Sequence, residues 1–493
     1  MNESSFSEEG LVLLRFDLNL SIQNCIFNFM VPLLLSVLIS LVTASSSGKC
    51  VSVEQLSLVY DAEVGDKVHL LFAANDDVPS TDYYCYFGNS ATNLVSKVAA
   101  TGTTYSIDSY KSPVLYQCVS DTLDLGNKQY YYQVKCSDGT SLSDINSFKS
   151  HPGIGIINEP ITWHIFGDLG NTQNSINTVS EIVDNENALT HFSGGIISLG
   201  DLSYANGDEP LWDEWANMVQ AATKSIPLFT TLGNHEWFDD VNYAFTAYLA
   251  RTYNPKINNK RELYYSFNMG PVHWVMIAGY CSEMSDVNTQ PCLADGSAQN
   301  LWLKSDLASI DKSLTPFTIA VFHQPYVNSN TAHRMALEGK PMQDAIESIL
   351  YSYKVDLVFS GHVHAYERSC QVYQYTCVDD GPLYITLGDG GNAEGLASRW
   401  ESPQPLWSAY RMASYGHGEL TAFNSSVLQF EWHQNQDLSP VVADTVTIIK
   451  DPVTKINRVI TSNVGTGHPS FSATDRGEQA RTFDEQMKLK RRG

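Results

Sequence analysis

The sequence predicts an α/β domain that follows a small all-β domain, and three observations predict it. Residues 50–150 carry β-rich runs (Val68–Ala73, Tyr83–Phe87 and Tyr130–Val134) separated by Gly, Asp, Asn and Ser clusters, with no helix-length amphipathic period. Short strands at this spacing suggest a sandwich. From Ile161 the rhythm changes to β-rich runs alternating with longer polar or helical stretches, the pattern of an α/β sheet. Polar residues then recur at the ends of these runs, where α/β sheets place their ligands.

The amino terminus comes first in the chain. Residues Cys25 to Ala44 are apolar, small residues Ser45 to Gly48 follow, and Val42-Thr43-Ala44 fits a signal-peptidase exit. The run approaches the ~20 residues of a membrane anchor. Pro32 shortens its helical stretch, however, so residues 1–44 are expected to be a cleaved leader. Residues 1–29 are polar and acidic, unlike a basic leader start, whereas Met30 opens a compact signal peptide by itself. Removing the leader takes Cys25 and leaves eight of nine cysteines, none with Cys-x-x-Cys spacing, which favours disulfides and a secretory route. The expected bridges are Cys281–Cys292 and Cys370–Cys377, with Cys50, Cys85, Cys118 and Cys136 paired among themselves. Asn424-Ser425-Ser426 is a glycosylation sequon.

Six runs define the second domain: Ile161–Phe166, Ile196–Leu199, Leu228–Leu232, Phe317–Phe322, Val355–Phe359 and Leu383–Leu387. After Lys450 the chain becomes polar and Gly-, Thr- and charge-rich, and residues 451–493 are expected to lack order. The net charge is −24 with no basic block before Lys488, a surface that repels nucleic acid and anionic membranes. Any anionic ligand must be drawn by something local, and bound cations are the candidate.

The strand ends supply the ligands. In order they are Gly167-Asp168-Leu169-Gly170, Gly200-Asp201-Leu202-Ser203-Tyr204, Gly233-Asn234-His235-Glu236, Val321-Phe322-His323 and Gly361-His362-Val363-His364. Besides His235 and Glu236, the set holds two carboxylates, a phenol, a carboxamide and three imidazoles, enough for two metals sharing one Asp. Two metals ~3.5–4 Å apart clamp the attacking and leaving oxygens of a phosphoryl displacement. Each piece alone is weak: His-Val-His on a regular strand would aim its rings at opposite faces. It chelates only if the backbone leaves the strand, which Gly361 permits.

These five blocks resemble the pattern of the purple acid phosphatases, and the likeness runs from about Cys50 to Lys450. The resemblance implies a metallophosphoesterase α/β sandwich, two mixed sheets flanked by helices, over residues 155–450. It also makes residues 50–150 a fibronectin-III-like domain. Gly388-Asp389-Gly390-Gly391-Asn392-Ala393-Glu394-Gly395 and Tyr415-Gly416-His417-Gly418 look like the family's closing segments. By resemblance, Asp168, Tyr204 and His364 hold Fe(3+), while Asn234, His323 and His362 hold a divalent Fe, Zn or Mn. Asp201 bridges them. Wider relatives have Asp-x-His where this chain has Asp168-Leu169-Gly170, and lack a phenol at Tyr204. The implied function is acid hydrolysis of phosphate monoesters by metal-activated hydroxide, in a protein secreted or sent to a vacuole or lysosome.

His235, next to Asn234, and His333, on the loop leaving the His323 strand, are candidates for acid catalysis or phosphate clamping. Plant-type members carry a histidine where this chain has Ala332. His69, His164, His191 and His273 are expected to be structural. A phosphodiesterase or nucleotide pyrophosphatase, and a non-catalytic phosphate-binding protein, stay open from the residues alone. So does the oligomeric state, a homodimer included.

Overall fold

The computed structural model describes residues 50–61, 65–155, 158–237, 244–254, 256–257, 260–281, 291–333, 339–435, 441–451, 454 and 457–462. The expected leader and the end of the tail lie outside the described residues.

Residues 53–149 form β1 (Val53–Tyr60), β2 (Val68–Ala74), β3 (Tyr83–Gly88), β4 (Ser96–Ala99), β5 (Thr101–Thr103), β6 (Ser106–Ile107), β7 (Tyr110–Lys111), β8 (Val114–Val119), β9 (Gln129–Cys136) and β10 (Asn146–Lys149). Two four-stranded sheets result, ordered β1-β2-β8-β5 and β10-β9-β3-β4. Their inward residues, among them Leu58, Leu70, Phe72, Cys85, Tyr116 and Val134, bury one core. Cys50 bridges Cys136 and Cys85 bridges Cys118, so the early cysteines do pair among themselves.

The second region begins with β11 (Ile161–Phe166), α1 (Gln173–Ala188), β12 (Phe192–Ser198), α2 (Pro210–Thr223), β13 (Leu228–Thr230), α3 (Thr246–Arg251), β14 (Lys256–Ile257), β15 (Lys260–Arg261), β16 (Tyr265–Met269) and β17 (Val272–Met276). It continues with α4 (Ala298–Ser309), β18 (Phe317–Val321), α5 (Gly339–Ser352), β19 (Leu357–Ser360), β20 (Tyr366–Tyr373), β21 (Thr376–Cys377), β22 (Leu383–Leu387), β23 (Ser408–Met412), β24 (Gly416–Asn424), β25 (Val427–Gln434), β26 (Val441–Lys450) and β27 (Asn457–Ser462). All six expected runs are strands. One mixed sheet runs β13-β12-β11-β24-β25-β26-β27, and the other β16-β17-β18-β19-β22-β20-β21, with β23 on β20. Their inner faces meet through Trp163 and Trp274, ring centroids 5.4 Å apart, with Ile165, Leu199, Ile319, Phe359 and Ile385 around them. Thr172 caps α1 by accepting the N–H groups of Asn174 and Ser175, and Pro210 opens α2 where its missing donor costs nothing.

The two regions pack together through α2: the Leu56 N–H donates to Gln220 and Thr223 donates to the Leu56 carbonyl. Arg251 is shared among Tyr105, Tyr110, Gln55 and Asp213. Cys281–Cys292 and Cys370–Cys377 are bridged.

The tail departs from expectation at one place. Asn457–Ser462 is not without order but pairs antiparallel with β26 as an edge strand. The β-branched run Val459-Ile460-Thr461 suits an edge that packs on one side only, which a reading of overall polarity overlooks.

Candidate metal centre

The site lies where the parallel strands of both sheets end. β11, β12 and β13 run parallel, as do β17, β18, β19 and β22, so their carboxyl-end loops converge. Asp168, Asp201, Tyr204 and His362 all have left-handed backbones, with φ between 51° and 67°. Four such residues at one point mark a place where the fold holds unfavourable backbone to aim side chains. The expectation for His-Val-His is met in this way: the chain leaves β19, and His362 (φ 67°) breaks the alternation that would separate the two rings. The neighbouring glycines are required sterically. A Cβ on Gly361 would lie 2.4 Å from Asp168 Oδ2, and one on Gly233 2.1 Å from Asp201 Oδ1.

Eight of the nine expected site residues contact one another, and Asn234 lies beside His235 in the same short turn. The Tyr204 hydroxyl donates to Asp168 Oδ1 at 3.1 Å and stands 3.0 Å from His364 Nε2, while His364 Nδ1 donates to the Gly395 carbonyl. His323 Nδ1 donates to the Leu199 carbonyl at 2.8 Å, which turns Nε2 toward Asp201 Oδ2, 2.9 Å away. His362 offers a ligand atom within 4.8 Å of both. The His235 ring lies tilted against Tyr204 with centroids 4.2 Å apart, its backbone N–H donates to Asp201 Oδ1, and its Nδ1 meets Asn206 Oδ1 at 2.5 Å. His333 lies against His362, centroids 4.2 Å apart.

Asn234 Oδ1 is buried without a hydrogen-bond partner, and Asp201 Oδ2 and His323 Nε2 face each other at 2.9 Å with no hydrogen bond besides that ion-pair contact. Buried polar atoms left so are costly, and these are oxygen and imidazole donors of the kind that bind iron and zinc. Burial opposes charge on His323, yet Asp201 and Asp168 outweigh it and raise its pKa to about 9. Burial likewise opposes charge on Asp201, but His323, His235 and His362 hold its carboxyl well below the usual range. The Tyr204 phenol is pushed far up by burial and then by Asp168 and Asp201, so only a cation could make it a phenolate. The residues fit a pair of metal ions.

Sequence reasoning missed several supporting groups. Glu236 accepts the N–H groups of Asp201, Leu202 and Gly233 at 2.7–2.8 Å. Its position after Asn234-His235 was the available signal. Asn392 donates through its backbone and side chain to the Asp168 carbonyl, and Glu394 Oε1 lies 3.6 Å from His235 Nε2. Asn206 gave no signal, being an ordinary loop asparagine in sequence.

Fold and site define a binuclear metallophosphoesterase: residues 161–366 match the family described as calcineurin-like phosphoesterase, and residues 381–445 match the family "Iron/zinc purple acid phosphatase-like protein C". The chain is 39% identical over 327 residues to "Probable purple acid phosphatase 20" of Arabidopsis thaliana, covering 65% of this chain and 71% of that one. It is 34% identical over 394 residues to "Purple acid phosphatase 22" of the same plant, covering 77% and 84%. "Fe(3+)-Zn(2+) purple acid phosphatase 12", also from Arabidopsis thaliana, is 33% identical over 374 residues, covering 71% and 75%. In fold the chain is similar to the purple acid phosphatase of yellow lupin (Lupinus luteus) seeds, with TM-score 0.70, 22% identity, and 81% and 75% coverage. The chain belongs to the purple acid phosphatase family and is an acid phosphatase.

Proposed function

We propose that Asp168, Tyr204 and His364 hold Fe(3+), that Asn234, His323 and His362 hold a divalent ion, and that Asp201 is shared. The convergence of these seven side chains carries the proposal: Asp201, His323 and His362 each offer a ligand atom within 4.8 Å of the others, and Asn234 Oδ1 is buried without a hydrogen bond. Bound there, the two cations would supply Lewis-acid activation of water in acid and neutralise charge on the phosphoryl oxygens. The protein's own residues orient the ester. The Nδ1 proton of His235 is directed to Asn206, which leaves Nε2 to face the site, where it can carry a proton to the leaving oxygen. His333 closes the outer side beside His362 and can clamp the phosphate. Glu236 and Asn392 hold the ligand loops in place before substrate arrives.

The four disulfides, the leader expected at residues 1–44 and the exposed sequon Asn424 support export through the secretory pathway, to the exterior or a vacuole. Residues 50–150 would be a β domain without catalytic groups, packed on a catalytic domain of residues 155–450. Among the described residues no helix is long and apolar enough to cross a membrane.

Phosphate release from a monoester and a diester, followed from about pH 4 to 8 in wild type and Asp201→Asn, tests the reading. Monoester hydrolysis with an acid optimum, abolished in the variant, is expected. Equal or faster diester hydrolysis would contradict it.

A further inference from the structure

The outer face of the seven-stranded sheet, under α1, carries a second group of charged side chains. Alternation sends Trp163, Leu420, Phe430 and Trp432 into the core between the sheets, and so sends His164, Glu419, Glu431 and His433 to the opposite face. Strand register aligns them. His164 on β11 stands opposite Glu419 on β24, which stands opposite Glu431 on β25. His433 follows two residues later on the same face. Glu419, Glu431 and His433 each offer one ligand atom, all within 4.8 Å of one another.

Ion pairs run from His164 to Glu186 and Glu419 and from His433 to Glu419, but they do not satisfy every atom. His164 Nδ1, Glu419 Oε1 and His433 Nε2 are buried and without a hydrogen-bond partner. His164 is fully buried, with Nδ1 3.3 Å from Glu419 Oε1. His433 is 8% exposed, with Nε2 3.6 Å from Glu419 Oε2. The charges do not balance either. His164 sits between Glu186, 3.1 Å away, and Glu419, and one imidazolium cannot offset the three carboxylates of Glu186, Glu419 and Glu431.

We infer that Glu419, Glu431 and His433 form a site for one divalent cation of the zinc class, separate from the strand-end centre. One imidazole with two carboxylates suits zinc and its neighbours, with solvent in the fourth position. Bonds of about 2.0–2.2 Å put two donors at most about 4 Å apart. The donors must therefore draw in by under about an ångström, a movement that half-buried Glu431 can make. A cation there would link β24 to β25. β24 begins at Gly416, whose N–H donates to the Asp389 carbonyl in the segment that brings Asn392 to Asp168.

The test is Zn2+ titration by calorimetry of the metal-loaded enzyme, comparing wild type with Glu431→Gln and His433→Asn. Wild type is expected to take one Zn2+ more than either variant, and Zn2+ is expected to raise the Tm of wild type alone. Phosphatase activity should be unchanged in the variants, which also shows that they fold. All three proteins carry the same strand-end centre, so the difference stands or falls independently of its assignment. Equal uptake by wild type and both variants would overturn the site, and Ca2+ binding as tightly as Zn2+ would overturn its class.

Discussion

The Glu236 carboxylate accepts the backbone N–H of Asp201 at 2.8 Å through the same oxygen that accepts Gly233 N–H at 2.7 Å. One buried side chain thereby ties the loop after β12 to the loop after β13, and with them Asp201 to Asn234. Glu236→Gln leaves a single carboxamide oxygen for three donors and aims an NH2 group at one of them. The variant should be less stable by roughly 2–4 kcal/mol, measured by urea denaturation, and should lose metal more readily on dialysis. Unchanged stability with full metal content would reduce Glu236 to a spectator.

His235 and His333 should separate kinetically. If His235 donates the proton, His235→Ala slows an alkyl phosphate far more than an activated aryl phosphate, because only the poor leaving group needs the proton. His333→Ala should raise KM similarly for both substrates, as lost uniform binding does. Steady-state kinetics of both variants on both substrates, with metal content checked, decides between the roles. Equal losses on the two substrates for His235→Ala would leave it a phosphate clamp.

Acid should cost the protein stability at His151. His151 is buried, its Nδ1 accepts Gly153 N–H at 3.0 Å, and its ring meets Tyr60 edge-on. Burial lowers its pKa to about 4. The unfolded chain therefore binds a proton that the folded chain refuses. Stability is full above about pH 6.5 and falls as pH drops toward 4, by up to about 3 kcal/mol. His151→Asn, which keeps an acceptor for Gly153, should flatten this slope in thermal melts taken across that range. A variant with the wild-type slope would refute the assignment.

The strand runs and the ligand blocks were legible because each rests on local signals. β-rich runs such as Ile161–Phe166 and Leu383–Leu387 stop at polar residues, and Gly-Asp, Gly-Asn and Gly-His pairs follow. Even the irregular path of His362-Val363-His364 could be anticipated, since two rings on one strand cannot share a target. The early cysteine pairing was legible only as a set: which of four cysteines meet depends on how the two sheets face each other, as for Cys85 on β3 and Cys118 on β8. Asn206 and Glu394 were not legible. Their contacts with His235 span 29 and 159 residues and are made by loops whose course no local pattern fixes. The β27 strand was hidden because an edge strand needs few apolar residues.

Tyr204 offers the most direct test of the metal assignment. Its hydroxyl lies between Asp168 and His364, and burial keeps it a phenol unless a strongly charged cation draws off the proton. The visible absorption spectrum of the oxidised, metal-loaded protein, taken beside that of Tyr204→Phe, is the measurement. The account predicts a phenolate-to-iron charge-transfer band in wild type that vanishes in the variant. A wild-type protein that holds two metals at the strand ends yet stays colourless when oxidised would contradict it.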